Sequence, residues 1–423
     1  MSMIVTTRPA FVAAPLGPGV ASLQRALLWS VGAGGAIVFV EPSPYELATL
    51  GAMIVFFATG LRMRLVFMPL LILLFCINLG YTICASYMLD QKPIMNWIFT
   101  SWYMAITVIF FALVFSEDTA ARLELLKRGL IVGGVVASIA GIIGYFGMLP
   151  GARNAFTLYS RASGTFKDPN VLAAFLILPA LFALQNLVTE TLGKAIRNGI
   201  ALGVIALALL LAFSRAAWGQ MVITASIMLL MMFMTSGSSR QRSRIVIMSV
   251  AAVAVAVLAV LALLSMDSVS GLFKQRASLE QNYDGGRFGR FGRYVLGAQM
   301  ALDYPLGIGP LQFTKYMPED THNSYLNAFM SGGWISGIVY PALIFVTLIL
   351  GFRYIFTASP WQKTYLAIFS GFLGTVGESF IIDTDHWRHF WLMLGAMWGM
   401  FVASEGFLKS RPQRVEPPPP YPS

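Results

Sequence analysis

Residues 286–337, GRFGRFGRYVLGAQMALDYPLGIGPLQFTKYMPEDTHNSYLNAFMSGGWISG, gather Arg287, Arg290, Arg293, Asp303, Lys315, Glu319, Asp320 and His322 in a chain that is 57% hydrophobic and 11% charged. The stretch ends in Thr321-His322-Asn323-Ser324-Tyr325 and runs straight into another apolar span. Holding so many ionisable groups in one loop, against that composition, marks the loop as the working part. The apolar chain on either side is its holder.

That holder decides the fold class. A length of 423 residues would suggest two or three soluble domains, but the mean hydropathy is +0.71 and apolar runs of about 20 residues recur. The expected architecture is an all-α, polytopic integral membrane protein with about twelve transmembrane helices. They fall at 22–40, 45–61, 65–83, 94–115, 126–148, 170–188, 196–213, 217–235, 245–265, 324–351, 362–382 and 388–405. The organisation reads as a cytoplasmic N-terminal tail (1–21), a membrane domain (22–405) with a large periplasmic loop (266–323), and a basic, then proline-rich cytoplasmic tail (406–423).

A net charge of +10 could suggest nucleic acid, yet the basic residues sit mainly in short connections between spans, where charge sets orientation. With the N-terminus inside, 17 of the 29 Lys and Arg face the cytoplasm. The other twelve need another reason. Most lie in the outer loops 149–169 and 266–323, and a cationic outer surface invites an anionic ligand. Cys76 and Cys84, about 12 Å apart along one helix, are beyond disulfide reach. No C-x-x-C, H-E-x-x-H or G-x-x-x-x-G-K-[ST] motif occurs.

Four constellations could carry chemistry. In Ser160–Asn170, Asp168 and Asn170 around Pro169 suit a helix cap, and Arg161 faces either headgroups or a ligand. Arg215 sits in a tight outer turn, where a planar, permanently charged fork suits a phosphate or pyrophosphate; the alternative is an interfacial anchor. Phe288, Phe291, Val295, Ala298 and Leu302 form the stripe of an amphipathic helix lying on the membrane, flanked by Arg287, Arg290 and Arg293, which would face headgroups or a bound phosphate.

His322 follows, an imidazole able to take a proton from a sugar hydroxyl, with nearby arginines expected to keep it neutral. Asn323 or Ser324 caps the next helix. Finally, Glu378 lies within a span, its expected partner an outer arginine or a structural ion pair, and is followed by Asp383, Asp385 and Arg388. Asp383-Thr384-Asp385 has the D-x-D form of metal-binding transferases, but nucleotide sugars are cytoplasmic and this motif is expected outside.

Arg161 with Gly164-Thr165-Phe166 and Pro169-Asn170, Ser214-Arg215, the arginine-bearing loop with Pro305-Leu306-Gly307-Ile308-Gly309-Pro310, and His322-Asn323-Ser324-Tyr325-Leu326 together resemble the O-antigen ligase and Wzy-type polymerase superfamily over about residues 160–340. Glu41-Pro42-Ser43-Pro44-Tyr45-Glu46 and Asp383–Trp391 resemble a subset of its bacterial members. The resemblance implies a bacterial inner-membrane glycosyltransferase of the GT-C type, independent of nucleotide sugar, metal and cofactor. It would move a glycan from undecaprenyl pyrophosphate to an acceptor hydroxyl, on lipid A core or on a growing polysaccharide, at the periplasmic face.

Carried over, Arg161, Arg215 and one or more of Arg287, Arg290 and Arg293 would hold pyrophosphate while His322 activates or positions the acceptor. Asn323, Glu378, Asp383, Asp385 and Arg388 are supporting candidates. Ligase activity is the first expectation and a Wzy-type O-antigen or exopolysaccharide polymerase the second. A flippase, from another class, would place ionisable or broken helices near the bilayer middle in paired halves.

Overall fold

The computed structural model describes residues 17–277, 286 and 289–410. Fifteen α-helices build the described chain: α1 (Pro18–Gly34), α2 (Pro44–Ala58), α3 (Met68–Ala85), α4 (Lys92–Phe115), α5 (Thr119–Phe146), α6 (Ala152–Phe156), α7 (Pro169–Thr189), α8 (Leu192–Leu211), α9 (Arg215–Thr235), α10 (Ser239–Leu264), α11 (Asp267–Ala277), α12 (Arg290–Asp303), α13 (Ser324–Arg353), α14 (Gln362–Glu378) and α15 (Arg388–Ser410). A two-residue hairpin, β1 (Thr157–Leu158) with β2 (Arg161–Ala162), lies between α6 and α7. Proline in the first turn opens α1, α2, α3, α4 and α7, where its missing N–H costs no hydrogen bond.

Each expected span falls on a helix, and nine among the described residues are long and apolar enough to cross a membrane. The other three, α1, α2 and α14, have 17, 15 and 17 residues. At 1.5 Å per residue they reach about 22–26 Å, short of a roughly 30 Å hydrocarbon core. Local polar contacts explain two of the early stops. The chain leaves α1 so that Val38 and Phe39 N–H donate to the Thr165 carbonyl at 3.0 and 3.2 Å, and it leaves α14 to fold Ser379–Asp383 over the start of α13.

Successive helices run in opposite directions, so the connections collect at two ends. At one, Lys167 pairs with Glu41 at 2.5 Å, Arg388 pairs with Glu46, and Arg161 Nε donates to the Ala212 carbonyl at 2.7 Å. At the other, Arg64 reaches Ser116 at 3.1 Å, Gln24 reaches Thr59 at 2.7 Å, and Tyr354 reaches Glu405 at 3.0 Å. We call these the polar crown and the basic end. Between them α7 is the central helix, with 89% of its apolar window buried, while α10 has the highest hydropathy and only 6% buried. A helix that is apolar all round and so exposed is suited to hydrocarbon, not water.

Close helix contacts rely on small residues, as expected where lipid removes the hydrophobic drive between helices. A Cβ on Gly129 of α5 would lie 2.1 Å from the Trp29 carbonyl of α1. The more consequential glycines break α13. Gly333 has φ 61 and ψ −159, a conformation open only to glycine, and the segment Pro305–Gly309 enters the break. Trp334 N–H donates to the Pro305 carbonyl at 2.8 Å, while Ile308 and Gly309 N–H donate to the Met330 carbonyl at 2.8 and 3.0 Å. Backbone groups released by the break are thus bonded again by the loop.

Candidate active site

The amphipathic helix sits in the crown with its stripe outward. Phe291, Val295, Ala298 and Leu302 of α12 are exposed, whereas Arg293, Gly297, Met300 and Ala301 form the buried face. Phe288 and Arg287 lie outside the described residues. The expectation that Arg293 would face headgroups or a phosphate is corrected by this geometry. Its side chain is 2% exposed, bonds Glu319 at 2.7 Å and donates to the Asp320 carbonyl at 3.0 Å. Arg290, one turn earlier, is partly buried.

Arg293 therefore presents Glu319 to His322. The Glu319 carboxylate is 3.4 Å from His322 Nε2, and on the opposite side Asp383 Oδ2 lies 3.3 Å from Nδ1. The imidazole, one-third exposed, is held between two carboxylates rather than beside arginines, which corrects the expected surroundings. His322 itself takes a left-handed φ of 49, held by the chain on both sides. Tyr294 Oη donates to the His322 carbonyl at 3.2 Å and lies 2.8 Å from that of Phe380. Asn323 caps α13 by accepting from Tyr325 and Leu326 N–H at 3.1 and 3.0 Å, and its amide donates to the Phe380 carbonyl.

The second carboxylate arrives because the α14–α15 turn is zipped onto this cap. Ser324 N–H donates to the Ser379 carbonyl at 2.9 Å and Thr384 N–H donates to Ser324 Oγ at 2.7 Å. The two aspartates of the D-x-D sequence then serve different imidazoles. Asp383 faces His322, while buried Asp385 accepts from Asn327 Nδ2 at 3.0 Å and lies 3.3 Å from His386 Nδ1. His386 in turn lies against Trp97, ring centres 4.3 Å apart.

These carboxylates are electrostatically distinct. Burial, with Asp383 adding repulsion, pushes Asp320 up to about 6. Burial also raises Asp383, with the His322 hydrogen bond opposing it. Glu319 shifts the other way: burial would raise it, but the Arg293 ion pair and then His322 hold it below the usual carboxylate range. The site thus pairs a carboxyl held below the ordinary range by a cation with two that burial raises above it.

The remaining expected residues lie around this centre. Arg161 is 6% exposed and joins β2 to the Ala212 carbonyl and, at 2.7 Å, to Asn170 Oδ1. Arg215, partly exposed, opens α9 three residues beyond Ala212, after Phe213 at φ 48. Glu378 is buried, and its neighbour is an amide rather than the expected arginine. With its nitrogen turned to the carboxylate, Gln220 donates to Glu378 Oε2 at 2.8 Å and accepts from Thr375. Arg388 pairs with Glu46, joining the start of α2 to the start of α15.

Sequence reasoning assigned no role to Glu319 or His386. Glu319, three residues before His322, was visible as a neighbour; His386 has no signal beyond its place after Asp385.

The fold and site define a polytopic, all-α membrane protein with an imidazole–carboxylate centre in the crown of its helix bundle. Residues 200–340, a third of the chain, match the family described as O-antigen ligase. The match takes in Arg215, Arg290, Arg293, His322 and Asn323, while Arg161 and the Asp383–Arg388 turn lie outside it. No curated protein matches the chain.

Proposed function

We propose that this protein transfers a glycan from undecaprenyl pyrophosphate to an acceptor hydroxyl at the periplasmic face of the bacterial inner membrane, as an O-antigen ligase. The observation that carries the reading is His322, inside the family-matched stretch, with Nδ1 on Asp383 and Nε2 toward Glu319. Asp383 fixes the ring and its tautomer, leaving Nε2 to receive a proton, the division of labour found in other carboxylate-oriented histidines. The incoming acceptor hydroxyl displaces Glu319 from Nε2.

The acceptor oxygen then bonds to the anomeric carbon as the sugar–phosphate bond breaks. The acceptor proton passes to His322, and the electron pair leaves with pyrophosphate. Arg215 and Arg290 meet the charge developing on that leaving group, with Arg287 a further candidate. Arg161 and Arg293 hold the two guanidinium-bearing segments in place. Attack on the face opposite the leaving group predicts inversion at the anomeric carbon. The orientation is supported by the basic end, whose connections carry Arg62, Arg64, Lys194, Arg197, Arg240, Arg242, Arg244 and Arg353.

A Wzy-type polymerase would use the same groups on a different acceptor. Deletion of the gene and analysis of lipopolysaccharide and exopolysaccharide separates the two. Loss of capped core with accumulated lipid-linked polymer supports ligase. Loss of long chains with single repeats still attached supports polymerase, and loss of the glycan altogether with the lipid-linked unit retained on the cytoplasmic face would point to a flippase.

A further inference from the structure

Against the Asp385–Arg388 turn a small cavity of about 50 Å3 lies among α1, α2, α5, α7 and the start of α15. Most of its wall is aliphatic or aromatic. Tyr45, His386 and His389 also line it, and each carries a buried atom with no hydrogen-bond partner in the protein: Tyr45 Oη, His386 Nε2 and His389 Nε2. Tyr45 is 2% and His389 7% exposed. His389 is further fixed by its aromatic neighbours, Trp387 at 5.3 Å and Phe175 at 6.1 Å between ring centres.

Three orphaned polar groups around one cavity form an unusual combination. Apolar cavities stay dry, whereas buried polar groups in native proteins are nearly always bonded, often by internal water. We infer that this cavity is a bound-water site whose anchors are Tyr45 Oη, His386 Nε2 and His389 Nε2. The ligand is small, because about 10–15 Å3 of such space holds one water and the cavity accommodates roughly three or four. It is also neutral. Arg388, the charged residue on the wall, is already paired with Glu46, so an anion would enter uncompensated. Water can donate to an unprotonated imidazole nitrogen or accept from a protonated one, and can do either with a phenol.

The site has a place in the architecture of the crown. It would bind α2 to α15 beside the Glu46–Arg388 pair, and through His386 it abuts Asp385, which holds Asn327 of α13 at 3.0 Å. The water cluster would thus brace the turn that presents Asp383 to His322, whichever acceptor the protein uses.

The sign of a stability change tests this in the full-length protein in nanodiscs. Tyr45→Phe removes a single oxygen and His389→Leu removes the imidazole. If water bonds these groups, both substitutions strand it, and the melting temperature falls by about 1–3 °C. In a dry cavity each substitution sheds an unsatisfied group, so a melting temperature that is unchanged or raised in Tyr45→Phe overturns the inference. Should His389→Leu fail to fold, the Tyr45→Phe result decides between the two outcomes by itself. Xenon pressurisation of the wild-type protein is the independent readout: no xenon in the cavity is expected, and xenon density there overturns the site.

Discussion

His322 Nδ1 and Asp383 Oδ2 lie 3.3 Å apart although 61 residues separate them in the chain. The pair joins a family-matched loop to a turn outside the match, so the histidine and the carboxylate that orients it belong to different parts of the sequence. Asp383→Asn retains the shape but reverses the hydrogen-bonding preference at Nδ1. Transfer from purified lipid-linked donor should fall by about 100-fold or more, and His322→Ala should abolish it while leaving donor binding intact. Wild-type turnover in either variant would remove the pair from the mechanism.

Glu319 tests a different property, because it lies between a buried cation and the imidazole. Removing its charge leaves Arg293 with the neutral Asp320 carbonyl as an acceptor in place of an ion pair. Glu319 is 59% exposed, so solvent screens the pair and the loss is moderate. Glu319→Gln should lower stability by about 1–2 kcal/mol, read as denaturant or thermal midpoint in detergent. A midpoint equal to wild type would show that α12 is held by something other than this ion pair.

The contrast between what the chain announces and what it conceals follows from distance along it. The stripe Phe291, Val295, Ala298 and Leu302 was legible because helical periodicity is local, and its exposed face is the one expected to meet the membrane. The Asn323 cap was legible for the same reason. The inward turn of Arg293 was not, since Glu319 is 26 residues away and no spacing rule connects them. Likewise the glycine-rich run after Tyr325 was visible, but not that Gly332-Gly333 opens a helix to admit Pro305–Gly309. The expected arginine partner of Glu378 gave way to Gln220 because helix packing, rather than charge complementarity, chose the neighbour.

Asp320 gives the crown a pH dependence of definite sign. Its folded pKa, about 6, lies above the ordinary value of 3.8. A raised carboxyl favours the folded state most when protonated, so its contribution is fully present below about pH 4 and is lost as pH rises through 6. Asp320→Asn should flatten the thermal-midpoint profile between these limits and be more stable than wild type at pH 7, by on the order of 3 kcal/mol. A profile that keeps the wild-type slope would assign the titration to another group.

The broken helix predicts a severe local defect. A Cβ on Gly333 would lie 2.4 Å from the Pro305 carbonyl oxygen, at a φ of 61 that L side chains avoid. Gly333→Ala should therefore expel Pro305–Gly309, at a cost of roughly 3 kcal/mol, and increase labelling of a cysteine introduced at Leu306 relative to one at Val295. Both positions are exposed already, so it is the change in their ratio, not labelling itself, that reports the displaced loop. An unchanged ratio would mean the break tolerates a side chain.

Arg215 separates a phosphate fork from an interfacial anchor. It opens α9 in a turn fastened from behind by Arg161 on the Ala212 carbonyl, so its backbone has little freedom to adjust to a shorter or rounder head group. If it grips two oxygens of a pyrophosphate, lysine cannot reproduce the planar pair of donors, although it keeps the charge. Arg215→Lys should then insert and fold normally yet lose at least about 10-fold in transfer, with the loss appearing in donor-dependent kinetics. If the residue merely anchors the turn at the headgroup level, lysine serves as well, and near-normal turnover in this variant would leave Arg290 and Arg287 as the remaining candidates for the leaving-group site.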